Sequence, residues 1–282
     1  MERRKEEAEE TSLPDFQPNT LQQGVSMIHP TAILHPGAEL DNDVEIGPFA
    51  VIGEHVRIGR GTRVGAHAVV DGWTEIGEEN QIFHLASVGG IPQDLKYKGE
   101  KTWLRIGNRN IFREFVTIHP GTVTGDSETT VGDGNLFMAY CHAAHDCHIG
   151  NNVIMANGST LAGHVRVEDY AILGGLTAIH QHVTIGAHVM IGGGAMVGQD
   201  VPPYTTATGD RARLRGLNLV GLRRRGFSAE TIAVLKKAYR ILVFSKLRIP
   251  EALERIRNEL PGLPEIIRFT EFIEKSERGI CR

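Results

Sequence analysis

Residues 140 to 150 read YCHAAHDCHIG, with three histidines, two cysteines and an aspartate in eleven positions. His142, His145 and His148 recur at every third position, a donor set that invites a zinc ion. His145 followed by Asp146 equally suits a general base beside the carboxylate that orients it. A third reading is chemically silent, with each imidazole merely solvated. The choice depends on the direction in which each side chain leaves the backbone, and therefore on the elements that carry them.

Those elements announce themselves by a period of six. Stepping from Ile28 by six gives Leu34, Leu40, Ile46, Ile52, Ile58, Val64, Val70, Ile76, Ile82 and Val88. The beat resumes at Ile106, Phe112 and Ile118, and again at Val131, from which it runs to Val197. Of its 26 positions only Ala143 is a weak apolar member. Four residues after each beat sits a small or β-branched residue, as at Ala32, Ala38, Val44 and Ala50. Neither an α-helix nor an ordinary strand meander has this period. A coil of three short strands does, each strand and its turn consuming one hexapeptide, so that stacked coils bury the beat in a narrow prism. The predicted fold is mainly β, a parallel β-helix over residues 27–203.

Two polar segments with proline and glycine break the beat, predicting loops near 89–105 and 119–130 that project from the prism, where function concentrates. After Pro202-Pro203 the beat stops, and residues 204–282 are expected to form a connection and a small α-helical domain. Ile232, Leu235, Tyr239 and Leu242 predict a helix over 228–245 with Ser228 as its N-cap. A second helix is expected from near Pro250 to before Pro261, and a third from about Pro264 to Gly279. Residues 1–26 alternate in charge without an apolar stretch and are expected to be a flexible extension, not a secretory signal.

Composition narrows the partners. The 282 residues contain only three cysteines, which predicts reduced thiols in a cytoplasmic protein, and no run long enough for a membrane span. Residues 211–248 hold eleven Lys or Arg against the single acid Glu230, a segment of +10 on a chain whose net charge is −4. A basic patch on an acidic protein points to a specific anionic partner and away from nucleic acid.

Register answers the question of direction. Cys141 and Cys147 each lie four residues past a beat, in the inward slot reserved for small residues, and are expected to be core filler. His142, His145, Asp146 and His148 fall on outward or corner positions. One coil is eighteen residues, so Asp146, His164 and His182 form one column, with His145, Gly163 and Gln181 beside it. Such a cluster is more than scatter, although any single imidazole in it still carries the solvated reading.

The segments IPQDLKYKGE (91–100), TIHPGTV (117–123), AHDCHIGNN (144–152), TLAGHV (160–165), GGLTAIHQ (174–181), QDVPPY (199–204) and GLNLVGLRRRGFS (216–228) occur in that order. Together they resemble the acyl-[acyl-carrier-protein]–UDP-N-acetylglucosamine O-acyltransferases, from about residue 27 to the C-terminus. The resemblance implies a left-handed coil. It also implies transfer of a (3R)-3-hydroxyacyl group from the carrier thioester to the 3-hydroxyl of UDP-N-acetylglucosamine, the first step of lipid A biosynthesis. His145 matches the family's general base, Asp146 the residue that holds it, and Gly163 the backbone N–H that stabilises the oxyanion. Gln93, Asp94, Lys96, His119, His142, His164, His180 and Gln181 match residues lining the sugar and acyl sites. Asn218, Arg224 and Arg225 match those that meet the nucleotide, and Gly193 the position that limits acyl length. Val220 departs from the family pattern, which has an acidic residue there near the uridine ribose.

The family assembles as a homotrimer and needs no cofactor or metal. The +10 segment is then expected to dock the acidic acyl carrier protein. Two alternatives share the fold: N-acylation of a UDP-diamino sugar by the same machinery, and a zinc hydratase resembling the hexapeptide carbonic anhydrases. A non-catalytic scaffold would leave His145, Gly163 and Gln181 on one ledge without purpose.

Overall fold

The computed structural model describes residues 28–282; the predicted 1–26 extension lies outside the described residues. Its body is a three-sided prism of sheets with nine, eight and ten strands, parallel throughout except for the end strand of the ten-stranded one. Most strands are two residues long, and the beat residue is the one that points inward. Successive coils pair eighteen residues apart, as in Ile33 with Val51 and Ile46 with Val64. Where the loops interrupt, the pairing skips them, joining Ser87 to Thr117 and Thr117 to His142. The coil is left-handed, against the usual handedness of parallel crossovers.

Three edges join the faces, and each contains a column of residues with positive φ. Phe49, Leu85, Tyr140 and Leu176 belong to one edge, Asp146, His164 and His182 to another, and Tyr170, His188 and Tyr204 to the third. A side chain at such a φ is costly, so it persists where neighbouring coils hold it. Inside, Phe112 stacks on Phe137 with ring centroids 4.9 Å apart, and the Asn80, Asn110 and Asn135 amides hydrogen-bond in series along the buried turns. Cys141 and Cys147 are buried in the inward slot, as their register requires.

The loops end sooner than the beat suggests. Trp103–Ile106 and Glu128–Val131 are four-residue strands that claim the last residues of both predicted loops. Trp103–Ile106 pairs over its full length with Trp73–Ile76 on one side and with Glu128–Val131 on the other, and Leu104 and Thr129 add a second inward residue ahead of the beat. A period defined by the beat alone cannot register that extension.

An antiparallel pair, Thr205–Thr208 with Arg213–Leu217, closes the last coil, a feature outside the hexapeptide beat. Four helices follow: α1 (Leu219–Arg224), α2 (Ala229–Phe244), α3 (Ile249–Glu259) and α4 (Pro264–Lys275). Helix α1 is too short to show periodicity, and α4 stops before the predicted Gly279. Ser228 caps α2 by accepting from the Thr231 N–H at 3.1 Å. Leu222, Leu235, Leu253, Ile256, Phe269 and Ile273 form a separate helical core. The helices are tied back onto the prism, with the Ser276 hydroxyl donating to Asp200 at 2.6 Å and Arg268 pairing with Glu168 at 2.9 Å.

Candidate active site

The edge after strands His142–Ala143, Thr160–Leu161 and Ala178–Ile179 carries the predicted column. Backbone hydrogen bonds clamp it coil to coil, His164 N–H to the His145 carbonyl at 3.0 Å and His182 N–H to that of Gly163 at 3.2 Å. Both projecting loops leave the same edge, from the coils just below. Sequence neighbours though they are, His145 and Asp146 meet: Nδ1 lies 2.8 Å from Oδ2. With Nδ1–H donating to the carboxylate, Nε2 keeps its lone pair. The His145 side chain is 17% exposed, enough for a substrate to reach it.

Asp146 corrects the sequence reading. Its register assigns it to an outward corner, yet its side chain is fully buried. The loop after His119 folds over it, and Thr122 donates to its carboxylate from both backbone and hydroxyl. A six-residue period describes the prism and is silent on what a loop covers.

Gly163 stands directly against the base. A Cβ built on it would lie 2.7 Å from His145 Cε1 and 2.9 Å from Nε2. Its N–H has no hydrogen-bond partner among the described residues, although its carbonyl does. The space beside Nε2 is therefore open and bordered by a free donor.

Neutral imidazoles surround the pair. His119 is almost fully buried, its Nδ1 has no partner among the described residues, and burial with the nearby His142 and His145 pushes its pKa down to about 4. Burial, then His145, also lowers His142, whose Nδ1 sits 2.7 Å from the Thr117 hydroxyl. His164 packs edge-on to His145 with centroids 5.1 Å apart and stacks on His182 at 4.4 Å. Burial lowers its pKa, partly offset by Asp146. His180 and Gln181 are exposed beside this group, with His180 Nδ1 3.1 Å from the Gln181 carbonyl.

His145, Asp146 and His164 offer ligand atoms within 4.8 Å of one another, close enough to hold a cation. Oδ2 of Asp146 already takes the Thr122 hydroxyl and His145 Nδ1. A cation there would displace the contact that orients the imidazole. The geometry suits the base–carboxylate reading better than the zinc reading.

Other predicted residues lie elsewhere on the chain. In the first loop Asp94 closes a turn, accepting from the Lys96 N–H at 3.0 Å, while Gln93 and Lys96 are exposed. Asn218 is committed to structure: its Oδ1 caps α1 and its Nδ2 donates to the His188 carbonyl at 3.0 Å. Arg224 is exposed, Val220 projects from the first turn of α1, and the Arg225 guanidinium lies 4.3 Å over the Tyr170 ring. His188 and Tyr170 mark a different edge from His145, and Gly193 lies on the remaining one. One chain thus distributes the predicted site over three edges. His148, to which the sequence assigns no role, lies 2.7 Å from Asp126 of the second loop and 2.9 Å from the Thr130 hydroxyl. Nothing in the repeat could reveal that partner, which comes from outside it.

A hexapeptide prism with an imidazole held by a carboxylate, opposite a glycine with a free N–H, defines an acyltransferase of the hexapeptide-repeat class. The bacterial transferase hexapeptide model matches residues 37–72 and 128–163, and the model of UDP-N-acetylglucosamine O-acyltransferase, domain 2, matches 200–281. The acyl-[acyl-carrier-protein]–UDP-N-acetylglucosamine O-acyltransferase of Thermodesulfovibrio yellowstonii is 59% identical over 90% of this chain and 99% of its own length. That of Burkholderia orbicola is 51% identical over 92% and 100%. The solved Acinetobacter baumannii LpxA superposes with a TM-score of 0.89 at 46% identity, covering 91% of this chain and all 100% of that one. The chain belongs to the acyl-[acyl-carrier-protein]–UDP-N-acetylglucosamine O-acyltransferase family.

Proposed function

We propose that the protein transfers a (3R)-3-hydroxyacyl group from an acyl-carrier-protein thioester to the 3-hydroxyl of UDP-N-acetylglucosamine, the first step of lipid A biosynthesis, with His145 as general base. The observation that carries this is the His145–Asp146 contact of 2.8 Å with Gly163 opposite Nε2. A sugar hydroxyl has a pKa far above neutral, so attack needs a base that takes its proton as the C–O bond forms. His145 Nε2 takes that proton, and Asp146 stabilises the imidazolium through Nδ1–H. The oxygen attacks the thioester carbonyl, and the resulting oxyanion accepts from the Gly163 N–H. The tetrahedral intermediate collapses with cleavage of the C–S bond, and His145 returns the proton to the departing pantetheine thiolate.

The remaining assignments are part of the same proposal. His119, His142, His164, His180, Gln181 and the first-loop residues Gln93, Asp94 and Lys96 bind sugar and acyl chain. Arg224 and Arg225 pair with the diphosphate through charge and a forked donor set, and Asn218 lies beside them. Gly193 bounds the acyl groove. The dispersal of these groups over three edges supports a homotrimer, in which one copy's edge faces another's. The cations of 211–248 are exposed and dock the acidic carrier protein. No helix among the described residues is long and apolar enough to cross a membrane, and we place the reaction in the cytoplasm. Incubation of a panel of 3-hydroxyacyl carrier proteins with UDP-N-acetylglucosamine, and in parallel with its UDP-diamino-sugar counterpart, tests the proposal: an O-acylated nucleotide sugar supports it, and acylation only of the diamino sugar contradicts it.

A further inference from the structure

We propose that Thr122 is a positioning residue for the transfer reaction, fixing the Asp146 carboxylate that in turn fixes His145. The inference rests on the reading of His145 as base. Thr122 is 1% exposed, at the inner face of the loop between strands Thr117–Ile118 and Glu128–Val131. Its backbone N–H points at both Asp146 oxygens, at 3.1 and 3.2 Å, and its hydroxyl donates to Oδ2 at 2.7 Å. That is the oxygen His145 Nδ1 approaches at 2.8 Å, so one atom is shared between the base and the loop.

The loop is built around this contact. The Thr122 carbonyl accepts from the N–H groups of Gly125 and Ser127, at 3.0 and 3.1 Å, and winds the segment about Thr122 itself. Gly125 lies against the Asp146 carboxylate with no room for a Cβ. A second tether holds the far end: Asp126 accepts from His148 at 2.7 Å and from Arg166 at 3.2 Å, both on the adjacent face of the prism. Asp146 itself has a φ of 59°, a strained backbone that leaves its side chain to be oriented by what covers it.

The chemistry follows from the shared oxygen. Two donors from Thr122 favour the ionised carboxylate and leave one direction of Oδ2 for Nδ1–H. Removing the hydroxyl leaves more negative charge for His145, which stabilises the imidazolium, and frees the carboxylate to turn. The other groups near His145 are His164 on the same edge and His119 and His142 from the coils that lead into it.

The test compares Thr122→Val, Thr122→Ser and His145→Ala in acyl transfer, each assayed below its own melting transition so that stability is read separately. Thr122→Val should lower kcat by about tenfold or more, leave KM for both substrates within about twofold, and move the acid limb of kcat/KM to higher pH. Thr122→Ser, which restores the hydroxyl, should restore both kcat and the limb. A Thr122→Val enzyme with wild-type kcat and an unmoved limb overturns the inference, as does a Thr122→Ser enzyme that behaves like Thr122→Val. If His145→Ala is inactive while Thr122→Val matches wild type, this inference alone fails. If His145→Ala is active, the base assignment fails with it.

Discussion

Gly163 and His145 face each other across one coil so closely that a methyl group on the glycine would fall 2.7 Å from the imidazole Cε1. No positive φ requires glycine at this position, so the absent side chain serves the space beside Nε2 and not the backbone. Gly163→Ala should therefore fold, with a melting temperature within a few degrees of wild type. Its kcat/KM should fall by about a hundredfold, because displacing a reacting group by an ångström is that costly. Near-normal turnover would show that the space is not used.

Acid should weaken the fold through its buried imidazoles. Burial first, with His142 and His145 beside His119 and Arg225 and Arg268 beside His188, holds both imidazoles at about 4. Both folded values lie below the unfolded value near 6.5. The unfolded chain therefore binds more protons between about pH 6.5 and 4, and stability present above 6.5 is lost as pH falls through that window. His119 alone, 6% exposed, contributes about 3 kcal/mol to the difference. Urea unfolding across the window should show this loss, and His119→Gln should flatten it. An identical slope in the variant contradicts the buried neutral assignment.

How much of this was legible depends on what obeys the period. The beat located the inward residues, so the burial of Cys141 and Cys147 and the column of Asp146, His164 and His182 follow from counting. The contacts of Asp146 with Thr122 and of His148 with Asp126 do not, because both partners belong to a loop that the repeat merely skips. Helix α1 is not legible in the sequence because six residues show no periodicity, and its cap, Asn218, falls within a motif that the family resemblance assigns to nucleotide binding. The motifs of the family supplied the roles that spacing could not.

Gly193 leaves the prism edge bare, with the Gly175 carbonyl 3.3 Å from where a Cβ would sit. Gly193→Met would project a long apolar side chain from that edge. Donor preference should shift from longer towards shorter 3-hydroxyacyl chains, read as the ratio of kcat/KM between donors. An unchanged ratio would place the acyl groove elsewhere.

The exposed cations of 211–248 should make carrier binding sensitive to salt. Raising ionic strength from about 0.05 to 0.5 M shortens the screening length several-fold. KM for the acyl carrier protein should rise accordingly, while KM for a short pantetheine thioester lacking the protein should change little. A salt-independent carrier KM would remove the docking assignment.

The central claim is that His145, held by Asp146, takes the proton of the sugar hydroxyl. Acyl transfer by His145→Ala, measured beside wild type with the preferred 3-hydroxyacyl carrier and UDP-N-acetylglucosamine, tests it most directly. Loss of about a thousandfold or more in kcat, with the nucleotide sugar still bound and the fold intact, is the predicted result. A variant that turns over within about tenfold of wild type would contradict it.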